Sequence, residues 1–192
     1  MTRTFIALEM NTVLQRHLTG FTRRVASALP TLRWVDVGGI HLTLAFLGEL
    51  DDAQLASAIE AAQVAAPSVH PFTYRLTKPG IFGSPRQPRV LWVGIEEETG
   101  ALQRLHRSLS HELKARGFEI EKRPFSPHLT LARGKAPLST DELAALQRVL
   151  IEPMPHIDPS ERYPVTCLHV MKSELQRTGA IYTCLHRASL DA

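Results

Sequence analysis

The sequence predicts a mixed helix-and-strand domain built from two related lobes. Two observations predict it. The order strand, helix, strand, helix, strand occurs twice along the chain, and an offset of eighty-seven positions lays one His-Leu-Thr-Leu tetrapeptide, at His41, on another, at His128. At the same offset Phe5-Ile6-Ala7-Leu8-Glu9 faces Trp92-Val93-Gly94-Ile95-Glu96. A chain of 192 residues can bury one sizeable core. A single bilobal domain over residues 1–192 is therefore expected, with repeat halves at about 3–78 and 90–171 and a closing strand at 181–187.

The elements follow in order. Arg3 to Glu9 is a short apolar run suited to a buried strand, and Asn11 is a helix cap. Leu14, Leu18, Phe21, Val25 and Leu29 share one helical face, which Pro30 ends. After a turn at Gly38 and Gly39, Ile40 to Leu47 reads as a strand. Asp51 or Asp52 caps a second helix with Leu55 and Ile59 inward, and Phe72 to Thr77 is a strand. Residues 78–89, rich in Pro, Gly and basic side chains, read as a loop joining the halves. Val90 to Ile95 is a strand. Leu102, Leu105, Leu109 and Leu113 mark a helix ended by Gly117, and His128 to Ala132 a strand. Ser139-Thr140-Asp141-Glu142 has the form of a capping box before a helix through Leu143, Leu146 and Leu150. Strands at 165–171 and 181–187, joined by a turn near Gly179, close the chain.

An apolar fraction of 44% with 21% charged residues is that of an ordinary globular protein, and no apolar run approaches the ~20 residues of a spanning helix. An acid, Glu9, interrupts the N-terminus before any signal-peptide core forms, so a cytoplasmic protein with no membrane partner is expected. The net charge of +3 does not by itself make a nucleic-acid-binding surface. Cys167 and Cys184 lie in two copies of Thr-Cys-Leu-His on what look like neighbouring strands; they read as two reduced thiols, without the spacing of a zinc site.

On a strand, residues two apart share a face, so His41 with Thr43 and His128 with Thr130 point away from their core-facing leucines. A single His-x-Thr is usually an ordinary strand position. Two copies at equivalent places of a repeat point to one shared site. Opening a phosphodiester with water needs a base for the nucleophile and an acid for the leaving oxygen, and two imidazoles near pKa ~6.5 divide those tasks. Threonine hydroxyls can hold non-bridging phosphate oxygens. A metal site is the rival reading. It lacks partners, since no carboxylate or cysteine accompanies either motif.

These motifs resemble the 2H phosphoesterase superfamily. Arg33-Trp34-Val35 ahead of His41-Leu42-Thr43-Leu44-Ala45-Phe46-Leu47-Gly48-Glu49, then Arg123-Pro124-Phe125-Ser126-Pro127-His128-Leu129-Thr130-Leu131-Ala132-Arg133, is similar to the RNA 2′,3′-cyclic phosphodiesterase family, also called 2′-5′ RNA ligases. The segments 168–173 and 179–185 resemble that family's closing hairpin. The resemblance implies an α+β fold, two pseudo-symmetric lobes with antiparallel sheets lining a central cleft and helices packed outside. It implies metal-independent hydrolysis of a 2′,3′-cyclic phosphate end to a 2′-phosphate, reversible as 2′-5′ ligation. No cofactor is expected, and the partners are RNA ends or nucleotides met by a monomer. Carried over, His41 is the acid and His128 the base, roles that pseudo-symmetry allows to exchange.

Phe46 and Arg133 each lie five positions beyond their histidine. Arg133 suits phosphate charge or a stacked base, or else is an ordinary solvated side chain beside Lys135, and Phe46 suits an aromatic wall or the core. Lys78, Arg86, Arg89, Lys122 and Arg123 form either a rim for an RNA backbone or ordinary solvated charges. Two other readings remain open: a cyclic phosphodiesterase for a small nucleotide such as an ADP-ribose cyclic phosphate, and an RNA-end binding module without turnover.

Overall fold

A computed structural model describes residues 1–154, 157–176 and 179–191. Its elements are β1 (Thr2–Glu9), α1 (Thr12–Ala26), β2 (Leu32–Trp34), β3 (His41–Leu50), α2 (Asp52–Ala65), β4 (Phe72–Ser84), β5 (Gln87–Glu96), α3 (Ala101–Ala115), β6 (His128–Gly134), α4 (Thr140–Ile151), β7 (Tyr163–Val165), β8 (Cys167–Gln176) and β9 (Gly179–Ser189). The turn expected near Gly179 falls on residues 177–178, outside the described residues. No helix among the described residues is long and apolar enough to cross a membrane.

The strands form two antiparallel sheets, ordered β3-β1-β8-β9 and β2-β6-β5-β4-β7. The fold is α+β, as expected. The repeat is laid out with an exchange: β4, from the first half, pairs with β5 of the second, while β8, from the second half, pairs with β1 of the first. Each sheet thus needs chain from both halves.

Alternation within the strands sends one face of each sheet to a common core. Ile6, Leu8, Leu42 and Leu44 of the first sheet and Leu91, Val93, Leu129 and Leu131 of the second join it. Against them pack Leu14, Leu18 and Phe21 of α1 and Leu102, Leu105, Leu109 and Leu113 of α3, all at most 2% exposed. Burying one such leucine stabilises by about 1.5–3 kcal/mol. The helix ends use local chemistry. The Asn11 side chain accepts from the Leu14 amide at 2.8 Å, Asp51 and Ser139 head reciprocal capping boxes with Gln54 and Glu142, and Gly117 takes φ 84° so that the Gly117 and Phe118 amides close α3 on the Lys114 and Leu113 carbonyls.

Two expectations are corrected and one is refined. Residues 78–89 are not a loop, because β4 runs on to Ser84 and turns tightly into β5; Pro79 and Pro88 are accommodated where the ladder is irregular. In α2 Leu55 and Ile59 pack against the core as expected, half-buried, while the fully buried face is Ala58, Ala61, Ala62 and Ala65, whose small side chains let this helix approach α3 and the sheet closely. The strand expected from 165 to 171 breaks at Thr166 into β7 and β8, which belong to different sheets.

Candidate active site

The two motif strands lie side by side. β3 is an edge strand of the first sheet, and its Cα atoms come within 8 Å of those of β6 in the second. The burial pattern over His41–Leu47, half-buried and buried in alternation, then two buried, one exposed, one half-buried, is identical over His128–Gly134. In both places the leucines feed the core, and His41, Thr43, His128 and Thr130 are half-buried on the opposite face.

Each strand also carries the same irregularity. Opposite β1 the register slips between Ile6, paired with Ala45, and Ala7, paired with Thr43; opposite β5 it slips between Leu91, paired with Ala132, and Trp92, paired with Thr130. Leu44 and Leu131 are the extra residues. Five positions is an odd spacing, which on a regular strand would turn Phe46 and Arg133 away from their histidines; one bulge restores them to that side. Phe46 is 66% exposed, with its ring 6.0 Å from Phe5, which stacks on His41, so it lies outside the core.

Both imidazoles are anchored in the same way. Nδ1 of His41 lies 2.8 Å from the carbonyl oxygen of Gly39, and Nδ1 of His128 lies 2.7 Å from that of Ser126. A carbonyl only accepts, so Nδ1 carries the proton in each ring and Nε2 is left with the lone pair. Aromatic rings then fix the orientation. Phe5 stacks on His41 at 4.5 Å and Tyr182 meets it edge-on at 5.0 Å; Phe82 meets His128 edge-on at 5.1 Å, with Trp92 tilted at 6.1 Å. Burial lowers the His41 pKa, Arg133 lowers it further, and the Gly39 carbonyl and Glu9 act in opposition. Arg133 therefore acts across from β6 onto the first histidine.

Of the rim candidates, Lys78, Arg86 and Arg89 are exposed along the β4–β5 hairpin, and Lys122 and Arg123 on the segment before β6, where Arg123 pairs with Glu121 at 2.9 Å. The sequence reading missed Phe5, Phe82, Trp92 and Tyr182. For Phe5 and Trp92 the signal was present, because they occupy equivalent places in the repeat. For Phe82 it was hidden by the composition of residues 78–89.

The cysteines are free and half-buried. They lie on adjacent strands but are not opposite one another: Cys167 pairs with Ser189 and Cys184 with Met171.

Comparison with known proteins bears on the family and the fold. The sequence profile described as the 2′-5′ RNA ligase superfamily matches residues 22–176. The chain is 35% identical over 145 residues to an RNA 2′,3′-cyclic phosphodiesterase of Geobacillus stearothermophilus, covering 74% of this chain and about half, 46%, of that protein. It is 30% identical over 181 residues to one of Methanothermobacter thermautotrophicus, covering 94% of this chain and 95% of that one. The crystal structure of TT0787 of Thermus thermophilus superposes with a TM-score of 0.78 at 29% identity, over 98% of both chains. That of E. coli LigT complexed with 3′-AMP gives 0.76 at 26%, over 100% of this chain and 99% of that one. With its duplicated motif, its paired sheets and a profile match over most of its length, the chain belongs to the 2′-5′ RNA ligase superfamily.

Proposed function

We propose that the protein is an RNA 2′,3′-cyclic phosphodiesterase that opens cyclic phosphate ends of RNA or nucleotides to the 2′-phosphate, without a metal, using His41 and His128. The matched anchoring of the two rings carries this reading: each is held by the carbonyl two residues before it, with Nε2 free for proton transfer. The names of the relatives supply the substrate class.

In the proposed step, water attacks phosphorus while one imidazole takes its proton through Nε2. The bond from phosphorus to O3′ breaks, and the other imidazolium gives O3′ its proton. Each transfer contributes typically ~10²–10⁴-fold in rate. Thr43 and Thr130 donate to the non-bridging oxygens, Arg133 offsets their charge and Phe46 walls the base. His41 is the acid and His128 the base. A ring whose pKa is lowered in the free protein must regain its proton in the complex, and the phosphate anion lying toward Arg133 supplies that reversal. A 5′-hydroxyl in place of water makes the same step a 2′-5′ ligation.

The site draws on a single chain, which supports a monomer, and two free half-buried thiols fit a reducing cytoplasm. Because LigT has been solved with 3′-AMP, a single nucleotide end is a sufficient recognition unit to propose here, and ADP-ribose cyclic phosphate would present such an end. Phosphorus NMR of the product tests the reading. A 2′-phosphate made by wild type in the presence of chelator, and lost in His41→Ala and His128→Ala, is expected. An unchanged cyclic end on tightly bound RNA would make the protein a binder and overturn the proposal.

A further inference from the structure

The face of the first sheet that carries His41 holds a second cluster of reactive side chains which the proposed chemistry does not use. β1 and β8 pair with Ala7 opposite His169, and β9 brings Cys184 alongside, opposite Met171. As a result the ligand atoms of Glu9, His169 and Cys184 all lie within 4.8 Å of one another. Nε2 of His169 is 3.4 Å from Oε2 of Glu9 and 3.3 Å from Sγ of Cys167. His169 is only 5% exposed, so its ring is committed to this place, whereas Glu9 and both thiols reach solvent.

Two other readings fail on geometry. A thiol, imidazole and carboxylate acting as a nucleophilic relay need the acid on one ring nitrogen and the thiol on the other; here both meet Nε2, and Nδ1 is buried without a partner. A disulfide between Cys167 and Cys184 is also out of reach. Four residues of strand separate Cys167 from Met171, the partner of Cys184, or about 13 Å, against the ~7 Å between Cα atoms that a bridge tolerates.

What remains is several donors of different hardness converging on one point. In a tetrahedral zinc site, with Zn–N and Zn–O near ~2.1 Å and Zn–S ~2.3 Å, neighbouring ligand atoms lie about 3.3–3.8 Å apart. The 3.4 Å contact of Nε2 with Glu9 matches that edge, and the Cys184 thiol lies within 4.8 Å of both atoms. We infer that Glu9, His169 and Cys184 form a site for one thiophilic divalent cation of the zinc class, with the fourth position open to solvent. One carboxylate and one thiolate balance its charge, and the Arg187 guanidinium, which in the free protein meets the Cys184 thiol and lies 3.9 Å from Glu9, turns to solvent when the cation takes both ligands. A nitrogen, oxygen and sulfur donor set favours zinc over magnesium or calcium. The site adjoins the catalytic cleft, because Glu9 is the strand partner of His41 and both line one cavity of about 150 Å³ with Met171 and Tyr182. A cation there takes Glu9 away from His41 and narrows the cavity, so zinc inhibits turnover and chelator restores it.

Titration of the reduced protein with Co²⁺, followed by displacement with Zn²⁺, tests the inference. One equivalent of cobalt should give a thiolate-to-cobalt charge-transfer band and the visible spectrum of a tetrahedral ion, both abolished by zinc. Cys184→Ser and His169→Gln should each lower cobalt affinity at least tenfold, and Cys184→Ser should resist zinc inhibition while turning over substrate as wild type does. Absence of a thiolate band in wild type, or its persistence in Cys184→Ser, overturns the site, as does wild-type turnover indifferent to a full equivalent of bound zinc. The spectroscopic readouts are independent of the phosphodiesterase reading, so the failure of one is distinguishable from the failure of the other.

Discussion

Arg133 and His41, on different sheets, share one electrostatic field: the guanidinium lowers the proton affinity of the imidazole, in the same direction as burial. The sign has a kinetic consequence. In the proposed step His41 is the acid and acts only while protonated, so kcat/KM, which reports the free protein, falls as pH rises through its lowered pKa. Bound phosphate raises that pKa, so kcat persists to higher pH. Arg133→Met should move the alkaline limb of kcat/KM upward. Paired pH profiles check this, and an Arg133→Met shift seen in the acidic limb of kcat/KM and not in the alkaline one would give His41 the base role instead.

Arg133 and Phe46 occupy equivalent places, but under the proposed function they meet different parts of a substrate, and their variants should separate accordingly. Arg133→Met removes one charge-assisted contact of about 1.5–3 kcal/mol, raising KM at least tenfold and flattening its dependence on salt. Phe46→Ala removes a stacking surface. It should reduce discrimination between terminal bases while leaving the inhibition constant for inorganic phosphate within about twofold of wild type. Steady-state kinetics on a set of cyclic mononucleotides distinguishes the two.

The histidines, the threonines and the α+β layering were legible in the sequence because tetrapeptide identity and helical spacing are local signals. The bulges at Leu44 and Leu131 were not, since an extra residue in a ladder is visible only against the partner strand. The parity they correct is nevertheless what puts Phe46 and Arg133 on the histidine side. The exchange of β4 and β8 was hidden for the same reason: each strand looks ordinary alone, and only long-range pairing assigns it to a sheet. The cluster of Glu9, His169 and Cys184 joins the first strand to the closing pair β8 and β9, at the far end of the chain, so no spacing rule finds it.

Glu142 ties α4 to the segment ahead of β2. Its carboxylate accepts from the Ser139 amide and from the amide and hydroxyl of Thr31, and these bonds pull its pKa down to about 2. A depressed folded pKa means stabilisation that is complete above the unfolded value near 4.5 and is lost as pH falls toward about 2. Glu142→Gln should therefore cost about 1–3 kcal/mol at neutral pH, with the gap to wild type closing in acid. Urea unfolding at pH 7 and pH 3 measures both.

Two glycine-to-alanine substitutions should shift stability in opposite directions. At Gly20, inside α1, an added β-carbon meets nothing within 4 Å, so alanine gains helix propensity and stabilises by about 0.5–1 kcal/mol. At Gly134, which ends β6, the β-carbon would collide with the Pro88 carbonyl oxygen. That atom is backbone of β5, so the two strands must separate, and overpacking of this kind costs about 1–3 kcal/mol. Because Arg133 is the neighbouring residue, the strain should also displace its guanidinium. Gly134→Ala is expected to raise KM as well as lower the urea midpoint, whereas Gly20→Ala should raise the midpoint with KM unchanged. A Gly134→Ala protein as stable as wild type would mean that β5 and β6 are not held together at Pro88 as described.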